Sequence, residues 1–293
     1  MPLKGFKCNK GQFSFDHCLS KCHECMPRFM LDSIVGFNDN DYHAGKVITA
    51  TSLLGCLREI YLQRKIDYYL QPKDLFYTWR GSLIHQLFER PSLDYLLSEV
   101  RISRDLKSLV ISGQLDAYDT KTDTLYDIKT IKDEGLQFIA KNGCKESHRV
   151  QVSIYAWIMA EYYHKQPKDV KICYYSMSDF VITGQQNTLR LKLRHVPKIS
   201  KETNVANVVD TGKITYDKKK ELLVTYDTPA VKVMTQEEVE AFIHPKALVL
   251  QEAFEKDIVP PKCDEETQKW KCASYCGMKH LCDEIESKRT VVL

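Results

Sequence analysis

The sequence predicts an α/β protein: a mixed central β-sheet flanked by helices, with a cysteine-rich segment in front and a cysteine-bearing cap behind. Three observations lead there. The hydrophobic periodicity runs as helices, then a strand meander, a helix, a strand and a helix, the order of a mixed sheet with helices on its faces. Hydrophobic residues make up 43% of 293 residues, enough to bury a full core. The eleven cysteines gather mainly at the two ends, outside the periodic stretch. The expected division is an appendage over 1–45 and a main domain over 46–293, whose last part, 260–293, is the cysteine segment.

Taken in order, residues 1–45 read as irregular. Residues 49–66 (TATSLLGCLREIYLQRKI) read as a helix with Thr51 or Ser52 as N-cap, broken at Gln71-Pro72. Residues 76–97 read as helix interrupted at Pro91. Strands follow at 99–104, 108–118 and 124–131, the last two joined by the polar turn Asp119 to Asp123. Residues 148–164 carry apolar and aromatic side chains at helical spacing. Strands are expected at 170–183 and 221–227, with a basic stretch, 185–220, between them. Residues 235–256 read as helix with Pro245 inside, and Pro260-Pro261 stops regular structure.

Composition also limits function. The net charge of +3 announces no nucleic-acid binder, although a local basic groove remains compatible with it. The N-terminus is polar and cysteine-bearing without an apolar h-region, and no apolar run nears the roughly 18 residues of a membrane span. A cytoplasmic location without membrane association is expected. In a reducing compartment, clustered cysteines point to metal before disulfides.

The segment richest in chemistry is SGQLDAYDTKTDTLYDIKT. Strand alternation sends Asp127 and Lys129 to one face and Ile128 to the other. Folding the hairpin about Lys121-Thr122 sets Asp116 opposite Asp127, where cross-strand Cβ atoms lie about 4.5–5.5 Å apart. Two carboxylates so close repel unless a cation joins them, and a hard, oxygen-seeking Mg²⁺ or Mn²⁺ suits them. Lys129 beside the pair completes a set able to hydrolyse phosphodiesters. The plain alternative is a surface hairpin with alternating charges.

Neighbouring segments add to the first reading. His85 and Glu89 lie four apart on one helical face, and a neutral His85 can ligate metal. Gln151 and Tyr155 lie one turn apart on the next helix and can hydrogen-bond a phosphate or Lys129. The series Gly81-x-x-x-His85, Gly113-x-x-Asp116, Asp127-Ile-Lys129-Thr130 and Gln151-x-x-x-Tyr155 resembles the PD-(D/E)xK nuclease superfamily, RecB branch, from about residue 50 to the C-terminus. The resemblance implies a restriction-endonuclease-like core. His85, Asp116, Asp127 and the Ile128 carbonyl would hold the metal, Lys129 would be the catalytic lysine, and Gln151 and Tyr155 would form the downstream motif. Asp127 stands where many relatives carry Glu.

Cys56 in the first helix and the trio Cys272, Cys276 and Cys282 make four thiolates, the complement of a 4Fe–4S cluster. The layout is similar to the iron–sulfur RecB-like nucleases, the CRISPR-associated Cas-four nucleases among them. Those relatives show C-x₂-C-x₅-C; here Cys276-x₅-Cys282 matches, Cys272-x₃-Cys276 is one residue longer, and Cys263 is an alternative second ligand. A four-thiolate zinc site is the competing reading. Separately, Cys8, Cys18, Cys22 and Cys25, with His17 and His23 as substitutes, are the expected structural Zn²⁺ set, because so little apolar content calls for a staple. Cys144 and Cys173 read as ordinary thiols.

The resulting expectation is a Mg²⁺- or Mn²⁺-dependent deoxyribonuclease acting on single-stranded DNA or DNA ends. The basic residues Lys192, Arg194, Lys198 and Lys201 would follow the phosphate backbone. CRISPR spacer acquisition, with adaptation proteins as partners, is one setting; phage or plasmid recombination or replication is another. A non-catalytic, metal-stabilised DNA-binding scaffold is the reading from a different class. Self-association is left open.

Overall fold

In the computed structural model the first elements are strands β1 (Leu3–Cys8) and β2 (Gly11–Ser14) and helices α1 (Phe15–Ser20) and α2 (Arg28–Phe37). Then come β3 (Val47–Thr49), α3 (Ala50–Leu53), α4 (Leu57–Lys65) and β4 (Tyr68–Leu70). Three long strands follow, β5 (Leu96–Leu106), β6 (Leu109–Asp119) and β7 (Thr124–Ile131), then helix α5 (Glu146–Tyr162) and strand β8 (Asp169–Ser176). The short strands β9 (Ile182–Thr183), β10 (Leu189–Lys192), β11 (Ile214–Tyr216) and β12 (Glu221–Val224) lead to α6 (Gln236–Lys256), α7 (Glu265–Thr267) and α8 (Lys279–Thr290). The structure describes residues 3–8, 10–22, 28–37, 47–72, 75, 81–83, 85–86, 93–107, 109–131, 139, 142–176, 182–183, 189–192, 214–216, 221–224, 231–273 and 276–290.

The fold is mixed α/β, with a mixed sheet flanked by helices. The sheet runs β3-β6-β7-β8-β9, and β5 pairs with β6. β6 and β7 are antiparallel, whereas β7 and β8 are parallel and joined through α5, as a parallel pair requires. β6 is buried along nearly its whole length, so both of its faces are covered. Every residue of α5 from Val150 to Met159 is buried, which explains why its apolar side chains form no single stripe.

Two compact units divide the chain, one of Met1–Ser82, Arg104–Ser112 and Glu240–Leu293, the other of Leu83–Ser103 and Gly113–Val239. Neither coincides with residues 1–45. In the first unit, β1 pairs antiparallel with β2 and parallel with β4. Phe6, Cys18, Leu31 and Leu75 are buried together there. The described residues of this stretch, 3–8, 10–22 and 28–37, are therefore not irregular; an apolar cluster already joins them. The expected helix over 49–66 is two helices. Thr49 Oγ1 accepts the Ser52 N–H at 3.1 Å and caps α3, displacing the expected cap at Thr51 or Ser52. After the break Cys56 takes the N-cap position of α4 without a side-chain capping bond, which leaves its thiol for other contacts. Strand β5 begins at Leu96, inside the segment expected to end a helix. No helix of the described residues is long and apolar enough to cross a membrane.

Candidate functional site

The turn of the β6–β7 hairpin sets the register of the site. Asp119 Oδ1 accepts the N–H groups of Lys121 (2.8 Å) and Thr122 (3.1 Å), an Asx turn that reverses the chain where the sequence suggests. The ladder then runs Asp119↔Thr124, Tyr118↔Leu125, Ala117↔Tyr126. The paired ladder ends there; beyond it the Asp116 side chain itself reaches β7, and its charge acts on Asp127. A slip of one residue would turn both carboxylates to the wrong face.

Asp116 Oδ2 accepts the Ile128 N–H at 2.5 Å, so the side chain reaches across to the β7 backbone. Its other oxygen, Oδ1, lies 3.2 Å from His85 Nδ1. The same nitrogen lies 3.2 Å from Glu99 Oε1. One ligand atom each from His85, Glu99 and Asp116 lie within 4.8 Å of one another, the one such grouping among the described residues. Glu99 is aimed by a chain of contacts: Gln114 Nε2 donates to Glu99 Oε2, and Arg101 donates to Gln114 Oε1 at 2.5 Å. Its backbone sits at φ 53°, a left-handed conformation that costs a non-glycine residue about 1–3 kcal/mol.

Burial lowers the His85 pKa, but hydrogen bonds to Asp116 and Glu99 outweigh it and raise the imidazole to about 10. As an imidazolium His85 bridges the two carboxylates and offsets one of their two charges. A divalent cation bound to Nδ1 would have to displace that proton, so proton and metal compete for one position.

Asp127 is 1% exposed. Burial pushes its pKa up, Lys129 pulls it down and Asp116 pushes it up again. Lys129 Nζ lies 2.7 Å from each Asp127 oxygen. The ammonium hydrogen-bonds Oδ1; Oδ2 is as close but off the hydrogen-bonding direction, and among the described residues it has no hydrogen-bond partner. The Lys129 ammonium already meets the charge of that oxygen, so the fit to Mg²⁺ or Mn²⁺ rests on the imidazole-plus-carboxylate grouping of His85, Glu99 and Asp116.

Helix α5 supplies the rest. Gln151 Nε2 donates to Tyr155 Oη at 2.7 Å, both side chains being buried. A Cβ at Gly113 would lie 2.7 Å from the Tyr155 ring, so this strand position must be glycine for the tyrosine to enter. One turn before Gln151, His148 Nδ1 hydrogen-bonds Tyr174 Oη at 2.8 Å. Tyr174 stands beside Lys129 in the β7–β8 ladder. Burial, with the charges of Lys129 and Lys145, lowers His148 to about 4 and keeps it neutral.

In the first unit a cavity of about 240 Å³ is bordered by Cys56, Cys263, Cys272, Cys276 and Cys282. Cys263 and Cys272 have their sulfurs 3.5 Å apart. A π-helical turn, Gln268–Cys272, delivers Cys272, a distortion common at functional positions. Burial raises the Cys263 thiol to about 12, helped by hydrogen bonds to Cys272 and Cys56. All four expected cluster ligands thus border one cavity, and Cys263 joins them.

Among the expected zinc residues, Cys8 ends β1, Cys22 follows α1 and Cys18 is 5% exposed within the apolar cluster. His17 stacks on Phe13 at 4.7 Å between ring centroids. Cys25, His23, Glu89, Arg194, Lys198 and Lys201 lie outside the described residues, while Lys192 ends β10. Sequence reasoning had no place for Glu99, Gln114, Arg101 or His148. A signal existed for two of them: Glu99 and Arg101 alternate along a strand otherwise rich in Leu, Val and Ile, and opposite charges at i and i+2 share a face.

No protein-family model matches the chain, and no curated protein does. Among solved structures, one described as "Crystal structure of SSO0001" aligns over 87% of this chain and 94% of that chain, at 14% identity and a TM-score of 0.48.

Proposed function

We propose that this chain is a divalent-metal-dependent DNA nuclease of the PD-(D/E)xK, RecB-like kind that also holds a 4Fe–4S cluster. The observation that carries the reading is the meeting of Asp116 and Asp127 on one face of the hairpin, with the Lys129 ammonium on Asp127 and His85 on Asp116. His85, Asp116 and Asp127, with the Ile128 carbonyl, are the proposed metal ligands, and Glu99 joins them on the strength of the ligand grouping. When bound, Mg²⁺ or Mn²⁺ supplies Lewis acidity to the scissile phosphate and to water. Lys129 holds Asp127 ionised against burial and stands ready to offset charge that grows on the phosphate. Gln151 and Tyr155, locked together by their hydrogen bond, offer donors to a phosphate oxygen. Single-stranded DNA and DNA ends are the substrates to test first.

The cluster is proposed at Cys56, Cys272, Cys276 and Cys282, with Cys263 as alternative to Cys272. A single Zn²⁺ held at about 2.3 Å by four sulfurs fills its own site, whereas a cavity of about 240 Å³ bordered by five cysteines suits a polyatomic group. Its role is a cross-link between the start of α4 and the C-terminal segment. The N-terminal zinc set of Cys8, Cys18, Cys22 and Cys25 was called for by a shortage of apolar contacts, and the Phe6–Cys18–Leu31–Leu75 cluster meets that shortage.

The test incubates anaerobically purified protein with labelled single- and double-stranded DNA, with Mn²⁺ or with EDTA, beside Asp127→Ala and Lys129→Ala. Metal-dependent cleavage that both substitutions abolish is expected. Cleavage that persists in either variant, or in EDTA, refutes the assignment.

A further inference from the structure

The thiol cavity has a cationic side built with unusual care. Arg58, on α4, is 2% exposed and heads the largest fully buried side chains. Taking a guanidinium out of water costs several kcal/mol unless its donors are matched and its charge is met. Arg58 Nε donates to the Pro260 carbonyl at 2.7 Å. The two hydrogens of Nη1 divide between Glu286 Oε1 at 2.6 Å and Cys282 Sγ at 3.4 Å. Glu286 meets the charge and Pro260 fixes the plane, so the contact to sulfur is not needed to make burial tolerable. A neutral thiol is a weak acceptor, and the contact gains strength only when the sulfur is anionic. A second cation stands nearby: Lys271 Nζ is 2.5 Å from Glu59.

We propose that Arg58 is a positioning and charge-compensating residue for the iron–sulfur group, donating Nη1–H to the Cys282 sulfur when that sulfur is a cluster ligand. The inference rests on the cluster reading above. Four thiolates bring four negative charges into a half-buried cavity, and a fixed donor on one of them stabilises the more reduced, more negative state. Hydrogen bonds to cluster sulfurs raise the reduction potential for this reason. The same guanidinium, tied to Pro260 and Glu286, holds the C-terminal segment over the cavity and slows loss of the group.

Full-length protein purified without oxygen would be compared with Arg58→Met, Arg58→Lys and Glu286→Gln. The readouts are iron and sulfide content, midpoint potential from a dye-mediated titration, and decay of the charge-transfer absorbance under a chelator. Arg58→Met should shift the midpoint to lower potential and speed decay about 10-fold or more, as loss of an outer hydrogen bond at a metal site does. Arg58→Lys, which keeps charge but loses the fork, should restore part of both. Glu286→Gln should move the midpoint upward, because it leaves the guanidinium charge to the sulfur; it is the surface-side variant that reports even if the Arg58 variants fail to fold. An iron-replete parent whose midpoint and decay rate are untouched in the folded variants reduces Arg58 to a structural tie and overturns the inference alone. An iron-free or zinc-only anaerobic parent overturns the cluster reading and the inference with it.

Discussion

Replacing Glu99 by Gln tests the electrostatics of the proposed metal site before any metal is added. His85 rises from 6.5 to about 10 because Asp116 and Glu99 each set a carboxylate oxygen 3.2 Å from Nδ1, against the opposing effect of burial. Burial stays while one of two contacts at equal distance goes, so the imidazole should come down to roughly 7–8, each pH unit being about 1.4 kcal/mol. Folding raises His85, so the stability it contributes is complete below pH 6.5 and is lost as pH rises through about 10. In Glu99→Gln that loss should instead be complete by roughly pH 9. The assay is an NMR titration of the His85 ring in parent and variant without metal, followed by calorimetric Mg²⁺ titration in two buffers of different ionisation enthalpy. Near pH 7.5 about one proton should leave per bound Mg²⁺, with affinity rising about tenfold per pH unit up to the His85 pKa. An imidazole that titrates near 6.5 in both proteins, or metal binding without proton release, would refute the reasoning.

Further expectations follow from the same geometry. Gly113→Ala drives a methyl group to 2.7 Å from the Tyr155 ring and should cost about 1–3 kcal/mol, read by urea denaturation; an unchanged midpoint would mean Tyr155 does not sit there. His148, lowered to about 4 by burial, should stay neutral in NMR titrations down to about pH 5; charging near 6.5 would contradict its buried bond to Tyr174. Cys18→Ala should lower thermal stability through lost packing while leaving zinc content unchanged; loss of one bound zinc would reinstate the N-terminal thiols as ligands.

The hairpin was legible because its signals are local. Strand alternation and the polar turn at 119–123 determine the register of the ladder, and the Asp116 side chain continues it by accepting the Ile128 N–H beside Asp127. The C-terminal thiols of the cysteine cavity were legible by their clustering, Cys263 among them as an alternative, whereas Cys56, far off in the sequence, was joined to them only by the resemblance. The role of Glu99 was hidden because its charge alternation with Arg101 says nothing of its partners: the pairing of β5 with β6 sets it beside Gln114, and His85 reaches it from another segment. His148 is an unremarkable helix histidine until the parallel β7–β8 register sets Tyr174 beside Lys129. The pairing of β1 with β4 left no trace in the sequence either, since parallel strands some sixty residues apart share no local pattern. What local periodicity and turn chemistry specify could be read; what long-range pairing assembles could not.

The most direct test of the central claim is a crystal of the protein soaked in Mn²⁺, with anomalous scattering recorded at the manganese edge. A peak bonded to His85 and Asp116, with Glu99 or Asp127 oxygens at about 2.1 Å, is the expected result. A protein that binds Mn²⁺ elsewhere, with His85 still bridging Glu99 and Asp116, would contradict it.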